Sequence, residues 1–467
     1  MATDVLKSEE RKKDGKTSES GMSGAWQYRQ FVNPEWVRLL DLLGMNVKYR
    51  RCLGTELFTE DGRVVLDFLS GYCVYNTGHN HPHIVQALIE ELGESGPAML
   101  QSHVPDSAGL LAERLCRLAG GGLTKVHFCS SGSEGIEAVI KFARVFTGRT
   151  GLVYAKGAFH GLTCGALSLI GDPFWREGFG AMLPETHEVV FGDIEGLEKV
   201  LGTRKIAALV LEPLQGEAGI VPAPPGYLAA AERLCKKYET LLVLDEVQTG
   251  LGRTGTFIAG HREGVQPDMV VLAKALSGGL VPVAAVLMRD EIYKAVYGSL
   301  KRSIVHTSTY SQNGLAMRAG LATLCVLENE GLSARAELLG HEMRAQLNDR
   351  LKKFEMVSEV RGQGLLNGIV MQPPTSLRLR VPFQAFRAIH PGMFGQMLVM
   401  RLFQHHNILS QMCGNNFMVL KAAPPLVITE SQIERYVDSI EAVMEGVHTS
   451  SSCWSDALNL AQRAVRV

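Results

Sequence analysis

At 467 residues the chain is too long for one simple core and points to two or more packed units. Its 46% apolar and 20% charged residues are ordinary for a globular protein, and a net charge of -1 gives no pull toward nucleic acid or anionic lipid. No apolar run reaches the length of a membrane span.

The opening stretch, residues 1–25, is polar and charged with no apolar centre. It reads as a disordered tail and not as a secretory leader. Residues 26–84 follow as the first part of a smaller α+β domain; RCLGTELFTEDGRVVLDF predicts two strands about a turn at Glu60-Asp61-Gly62. Over 85–330 short apolar runs (KVHFC, GLVYA, HEVVF, IAALVLEP, LLVLDEV, MVVLAK, PVAAVLM) alternate with amphipathic segments such as GYLAAAERLCKKYE. That alternation predicts an α/β domain with a mainly parallel sheet and helices on both faces, binding its ligand at the carboxyl ends of the strands. Residues 331–448 return to the smaller domain, with 372–415 reading as an inserted helical pair rich in Met and Phe, most simply as extra core. A Ser-rich tail with one short helix closes the chain over 449–467. The nine cysteines are scattered and odd in number, as in a reduced, cytoplasmic protein.

Within the large domain, LLVLDEV ends a buried strand in Asp245 and Glu246. A nucleotide hydrolase would need a Gly-rich phosphate loop, and the one Gly-Lys-Thr, at 15–17, has Glu10 in place of the first glycine. RGQGLLNG (361–368) leads into a strand, so it is no dinucleotide fingerprint either. One βα unit after Asp245, VVLAKALSGG places Lys274 at the end of an apolar strand, where a lone ammonium is costly unless it is used. A lysine amine that bonds pyridoxal phosphate, and a carboxylate that keeps the pyridine nitrogen protonated, fit the two positions. Ser130-Ser131-Gly132-Ser133 opens a helix whose first amides suit a phosphate, though taken alone an ordinary Ser cap is the better explanation. Phe159 and His160 end another strand, where an aromatic ring either stacks on a cofactor or packs the core.

Taken in order, DFLSGYCVYNTGHNHP (67–82), SSGSEGIEAVIKFAR, FHG, LEPLQGEAG (211–219), LLVLDEVQTGLGRTG, VVLAKALSGG, HTSTYSQN (306–313), RGQGLLNG and APPLVI (423–428) resemble the class III pyridoxal-phosphate aminotransferases, the group of ornithine, acetylornithine and 4-aminobutyrate aminotransferases. The likeness runs from about 30 to 445 and implies the fold-type I architecture. It implies Lys274 as the Schiff-base lysine and general base, Asp245 on the pyridinium nitrogen, and Gln248 on the ring hydroxyl. Gly132 and Ser133 would hold the phosphate, with Phe159, followed by His160, against the ring. Thr309 would reach the phosphate of a neighbouring subunit in a homodimer or larger assembly, and Tyr72 would line the substrate pocket. The reaction implied moves an amino group from a donor, L-glutamate or an ω-amine, to an aldehyde or keto acceptor. Aminomutase, racemase and decarboxylase chemistry share the fold, and a scaffold protein that had lost catalysis would be expected to lack Lys274 or Asp245.

One departure stands out. Ornithine-type members carry an arginine before Ala-Pro-Pro that forks a donor carboxylate, and a glutamate that pairs with it. Here Glu217 is kept but Lys421 stands for the arginine, and lysine is a point charge without the fork. Lys421 either pairs with Glu217 as a gate or points to solvent. With the apolar stretch 372–415, this suggests a bulky or hydrophobic amine or aldehyde in place of a standard amino acid pair.

Overall fold

The computed structural model describes residues 26–100, 102–449 and 454; the stretch read as a tail over 1–25 and nearly all of 449–467 lie outside them. Residues up to Asn46 form one unit. Its second helix, Pro34–Leu43, starts under an Asn33 cap and stops at Gly44 in the left-handed region.

The second unit runs from Val47. It opens with an antiparallel meander, β1 (Tyr49–Leu53), β2 (Glu56–Thr59) and β3 (Val64–Asp67). Two strands were expected here. There are three, because Gly54 at φ +58° makes a second turn inside what reads as one apolar run.

The large sheet comprises β4 (Lys125–Cys129), β5 (Gly151–Ala155), β6 (Thr186–Val189) and β7 (Ile206–Leu211) and, after a small hairpin of β8 (Leu214–Gln215) and β9 (Val221–Pro222), β10 (Leu241–Asp245), β11 (Met269–Leu272) and β12 (Ala284–Met288). Their order is β4-β12-β11-β10-β7-β5-β6. Only β12 pairs antiparallel to its neighbours. β5, β7, β10 and β11 are buried along their whole length, as strands covered on both faces must be. Ile136, Val139, Ile140 and Ala143 of helix Gly132–Thr147 form one core with Leu152, Val210, Val243 and Val271 of these strands.

The C-terminal part gives β13 (Val357–Gln363), β14 (Leu366–Met371), β15 (Ile408–Leu409), β16 (Gln411–Cys413) and β17 (Asn416–Ala422). β13, β14, β17 and β16 form an antiparallel sheet, while β15 pairs parallel with β3 and so joins the two chain ends. Between β14 and β15 lie helices Leu377–Ile389 and Met393–His406, with Phe383, Phe386, Phe394 and Phe403 buried. The helical pair is thus core, but 372–415 is no self-contained insertion, since its last residues supply a strand to each of two sheets.

A single guanidinium ties these parts together. Arg253, fully buried, donates from Nε and Nη2 to Asn76 Oδ1 and from Nη1 to the carbonyls of Leu365 and Pro424.

Candidate active site

The parallel strands deliver their chemistry to one edge. Register places Leu244 of β10 beside Leu211 of β7, so the next residues, Asp245 and Glu212, lie abreast. Asp245 also pairs with Val271 of β11, and the chain passes Ala273 to reach Lys274. From β4 come Ser130 to Ser133, and from β5 Phe159 and His160. Together they line a cavity of about 530 Å³ that also takes in Glu217, Val247, Gln248 and the stretch Leu280–Val283.

Lys274 is half-buried and begins a short turn in the left-handed region, φ +46°. For a residue with a Cβ that conformation costs about 1–2 kcal/mol, so the surrounding structure holds the side chain where it is. Among the described residues no hydrogen bond or ion pair ties its ammonium.

Asp245 is saturated on its inner side. Oδ2 meets His160 Nδ1 at 2.7 Å, and Oδ1 accepts from Val247 N at 3.1 Å. Burial works against charge on His160, but the hydrogen bond and charge of Asp245, with Glu212 behind it, leave its pKa raised. His160 was expected as a cofactor contact; its ring is spent on fixing Asp245, and its Nε2 is buried without a partner.

Glu212 was not singled out beforehand. One carboxylate oxygen accepts from Phe159 N (3.0 Å), the other from Gly216 N (3.1 Å), so it ties the aromatic wall to the Gln248 wall. Burial pushes it up to about 7, moderated by His160 and reinforced by Asp245. Its signal in the sequence was a carboxylate directly after a fully apolar strand, the same pattern that marks Asp245.

Ser131 Oγ caps helix Gly132–Thr147 through Glu134 N. The amides of Gly132 and Ser133 are in the first turn, which has no intrahelical acceptors to offer them. Space there is set by missing side chains. A Cβ on Gly132 would lie 3.0 Å from a Val247 methyl, and one on Gly161 or Gly216 would collide with Ser133 or Gln248. A slot between Phe159 and Val247, with a buried carboxylate at its base, a helix N-terminus at one end and an untied lysine beside it, fits the phosphate, ring nitrogen and aldehyde of pyridoxal phosphate.

Lys421 does not point to solvent. It is fully buried on β17, and its Nζ donates to Glu217 Oε1 at 2.5 Å. Attraction to Lys421 overcomes burial and holds the Glu217 carboxyl well below its usual range. Tyr72 was placed on the pocket wall. Its ring lies 5.1 Å from Lys421 Nζ, the partner of the cavity-lining Glu217, within a left-handed turn at Ser70–Cys73. Thr309 lies in an exposed turn away from this cavity.

The aminotransferase class-III family model matches residues 43–444. The aminotransferase PigE of a Serratia species is 36% identical over 454 residues, covering 91% of this chain and 53% of that protein; the chain spans about half its length. The putrescine aminotransferase of Pectobacterium atrosepticum is 34% identical over 432 residues, 90% of this chain and 87% of that one. Among solved structures, the ornithine aminotransferase of Toxoplasma gondii has a TM-score of 0.78 at 28% identity, over 92% of this chain and 99% of that one. An (S)-enantioselective omega-transaminase from Thermomicrobium roseum has a TM-score of 0.78 at 27% identity, over 96% and 98%.

Proposed function

Because this chain belongs to the class-III aminotransferases, fold-type I enzymes that use pyridoxal phosphate, we propose that its donor is an amine without an α-carboxylate, a terminal mono- or diamine, and its acceptor an aldehyde or keto acid. One observation carries this reading. Lys274 is the sole lysine or arginine on the described cavity wall, against the carboxylates Glu212, Glu217 and Asp245. Lys421, the cation that would replace a carboxylate-binding arginine, is buried behind Glu217 and held there. A donor carboxylate would meet no fork on this wall.

When bound, the cofactor supplies an electron sink through its protonated pyridine ring. Asp245 would hold that ring proton, with His160 fixing the carboxylate. Gly132 and Ser133 would take the phosphate through backbone amides. Phe159 would cover one ring face and Gln248 would reach the ring oxygen. Lys274 would hold the cofactor's aldehyde carbon through Nζ, and the same Nζ would take and return the proton at the substrate carbon.

Thr309 on its exposed turn is read as a contact to a second subunit's phosphate, in a homodimer. The eight described cysteines are free, which supports a reducing cytoplasmic setting. Among the described residues no helix is long and apolar enough to cross a membrane.

Absorption spectroscopy of the purified holoenzyme tests the reading. A terminal diamine should bleach the Lys274-dependent band, and L-glutamate should do so far more slowly. Equal rates with the two would refute the donor assignment, and a band that survives Lys274→Ala would refute the lysine.

A further inference from the structure

Glu217 and Lys421 lie 204 positions apart, yet one carboxylate joins three groups. Glu217 Oε1 accepts from both Lys421 Nζ and Gln248 Nε2 (3.1 Å), and Oε2 accepts from Gly414 N (2.8 Å). Around the ammonium stand the Tyr72 ring and the thiols of Cys73 and Cys413. Arg361, the nearby guanidinium, is occupied by Gly219 O and Glu359. The far end of Gln248 is equally constrained. Its Oε1 is buried without a partner and packs on Gly216, where a Cβ would collide with it. With one Nε2 hydrogen on Glu217, the second is the donor that this amide has left.

We propose that Lys421 is a positioning residue for the cofactor: through Glu217 it locks the Gln248 amide so that an N–H, and not a carbonyl, is offered to the ring oxygen. This rests on the assignment of Gln248 to that oxygen. A donor there favours the deprotonated ring oxygen. Without Lys421, Glu217 becomes a lone buried carboxylate, which takes up a proton before it stays charged. As an acid it donates as well as accepts, and the amide is then free to turn.

The test is a spectrophotometric pH titration of the holoenzyme band in the wild type, Gln248→Met and Lys421→Met. The double variant Glu217→Leu with Lys421→Met removes the strut without leaving a lone charge, and serves where the single variant fails to fold. Loss of the donor should raise the titration midpoint by about 0.5–1 pH unit, the size of one hydrogen bond, in all three variants. A shift in Gln248→Met with none in either Lys421 variant overturns the proposal and leaves the cofactor contact standing. No shift in Gln248→Met overturns both; the band's dependence on Lys274 then shows separately whether the cofactor assignment survives.

Discussion

Two buried acid–base pairs flank the cavity, and they are built in different ways. His160–Asp245 joins the loop after β5 to the end of β10, two parallel strands of one sheet with β7 between them, so both partners come from the same edge of that sheet. Glu217–Lys421 joins the loop between β8 and β9 to β17 of a separate antiparallel sheet, and only the packing of those two regions creates it. The first pair holds a buried imidazole whose pKa is raised by the hydrogen bond and charge of Asp245. The second holds an ammonium that no water reaches. Chemistry is thus assigned to the sheet, and its fine alignment to the junction between regions.

The largest way to break this contrast is at the sheet. Lys274→Ala should lower turnover by about 10⁴-fold with the fold intact, as removal of the proton-transfer group implies; steady-state kinetics and circular dichroism together check it. Asp245→Asn should cost on the order of 10³-fold in the half-reaction measured by stopped flow, since an amide cannot hold the ring proton.

At the junction the effect should fall on stability. Lys421→Met should cost about 3–5 kcal/mol in urea unfolding, and adding Glu217→Leu should recover most of it, because an apolar pair replaces a lone buried charge. The sign with pH follows from Glu217's depressed pKa: the pair's contribution is present above the unfolded carboxylate value of about 4.3 and is lost as pH falls through the folded value. An acid scan in which wild type and double variant run parallel would remove the pair from the stability account.

The smallest effect concerns Glu212, whose pKa is raised to about 7. The folded state therefore binds a proton that the unfolded state has released. Stability from this group is full below about pH 4.3 and declines by up to about 1.4 kcal/mol per pH unit until about 7. Glu212→Gln should flatten that slope in thermal melts, and an unchanged slope would assign the loss to another group.

The same contrast decided what the sequence revealed. Asp245 and Lys274 were legible because each ends an apolar strand, and a strand's carboxyl end has a fixed address in an α/β sheet. Glu212 ends its strand in the same way and was passed over, since a role that consists of holding two backbone amides leaves no motif of its own. His160 was read correctly to the cavity but not to its partner, because strand order does not show which side chain turns inward. The orientation of Lys421 was undecidable from VLKAAPPL: period-2 alternation does not tell which face of β17 meets Glu217. The left-handed turn at Ser70–Cys73 that carries Tyr72 was likewise illegible, since it has no signature beyond one glycine. The third strand before residue 68 was lost to Gly54, whose turn interrupts an apolar run without proline or asparagine to announce it.

Arg253 lends the contrast a last dimension. Among the described residues no carboxylate forms an ion pair with it, though the charge of Asp67 favours the protonated form; Asn76, Leu365 and Pro424 solvate it with neutral oxygens from three separate segments of the second unit. A guanidinium keeps its proton at any pH a protein survives, and neutral oxygens have none to exchange. This joint is therefore insensitive to acidity, unlike the Glu217–Lys421 pair, whose contribution falls away in acid. Protons can come and go at Glu212 and Glu217 without touching the Arg253 joint that ties these three segments together.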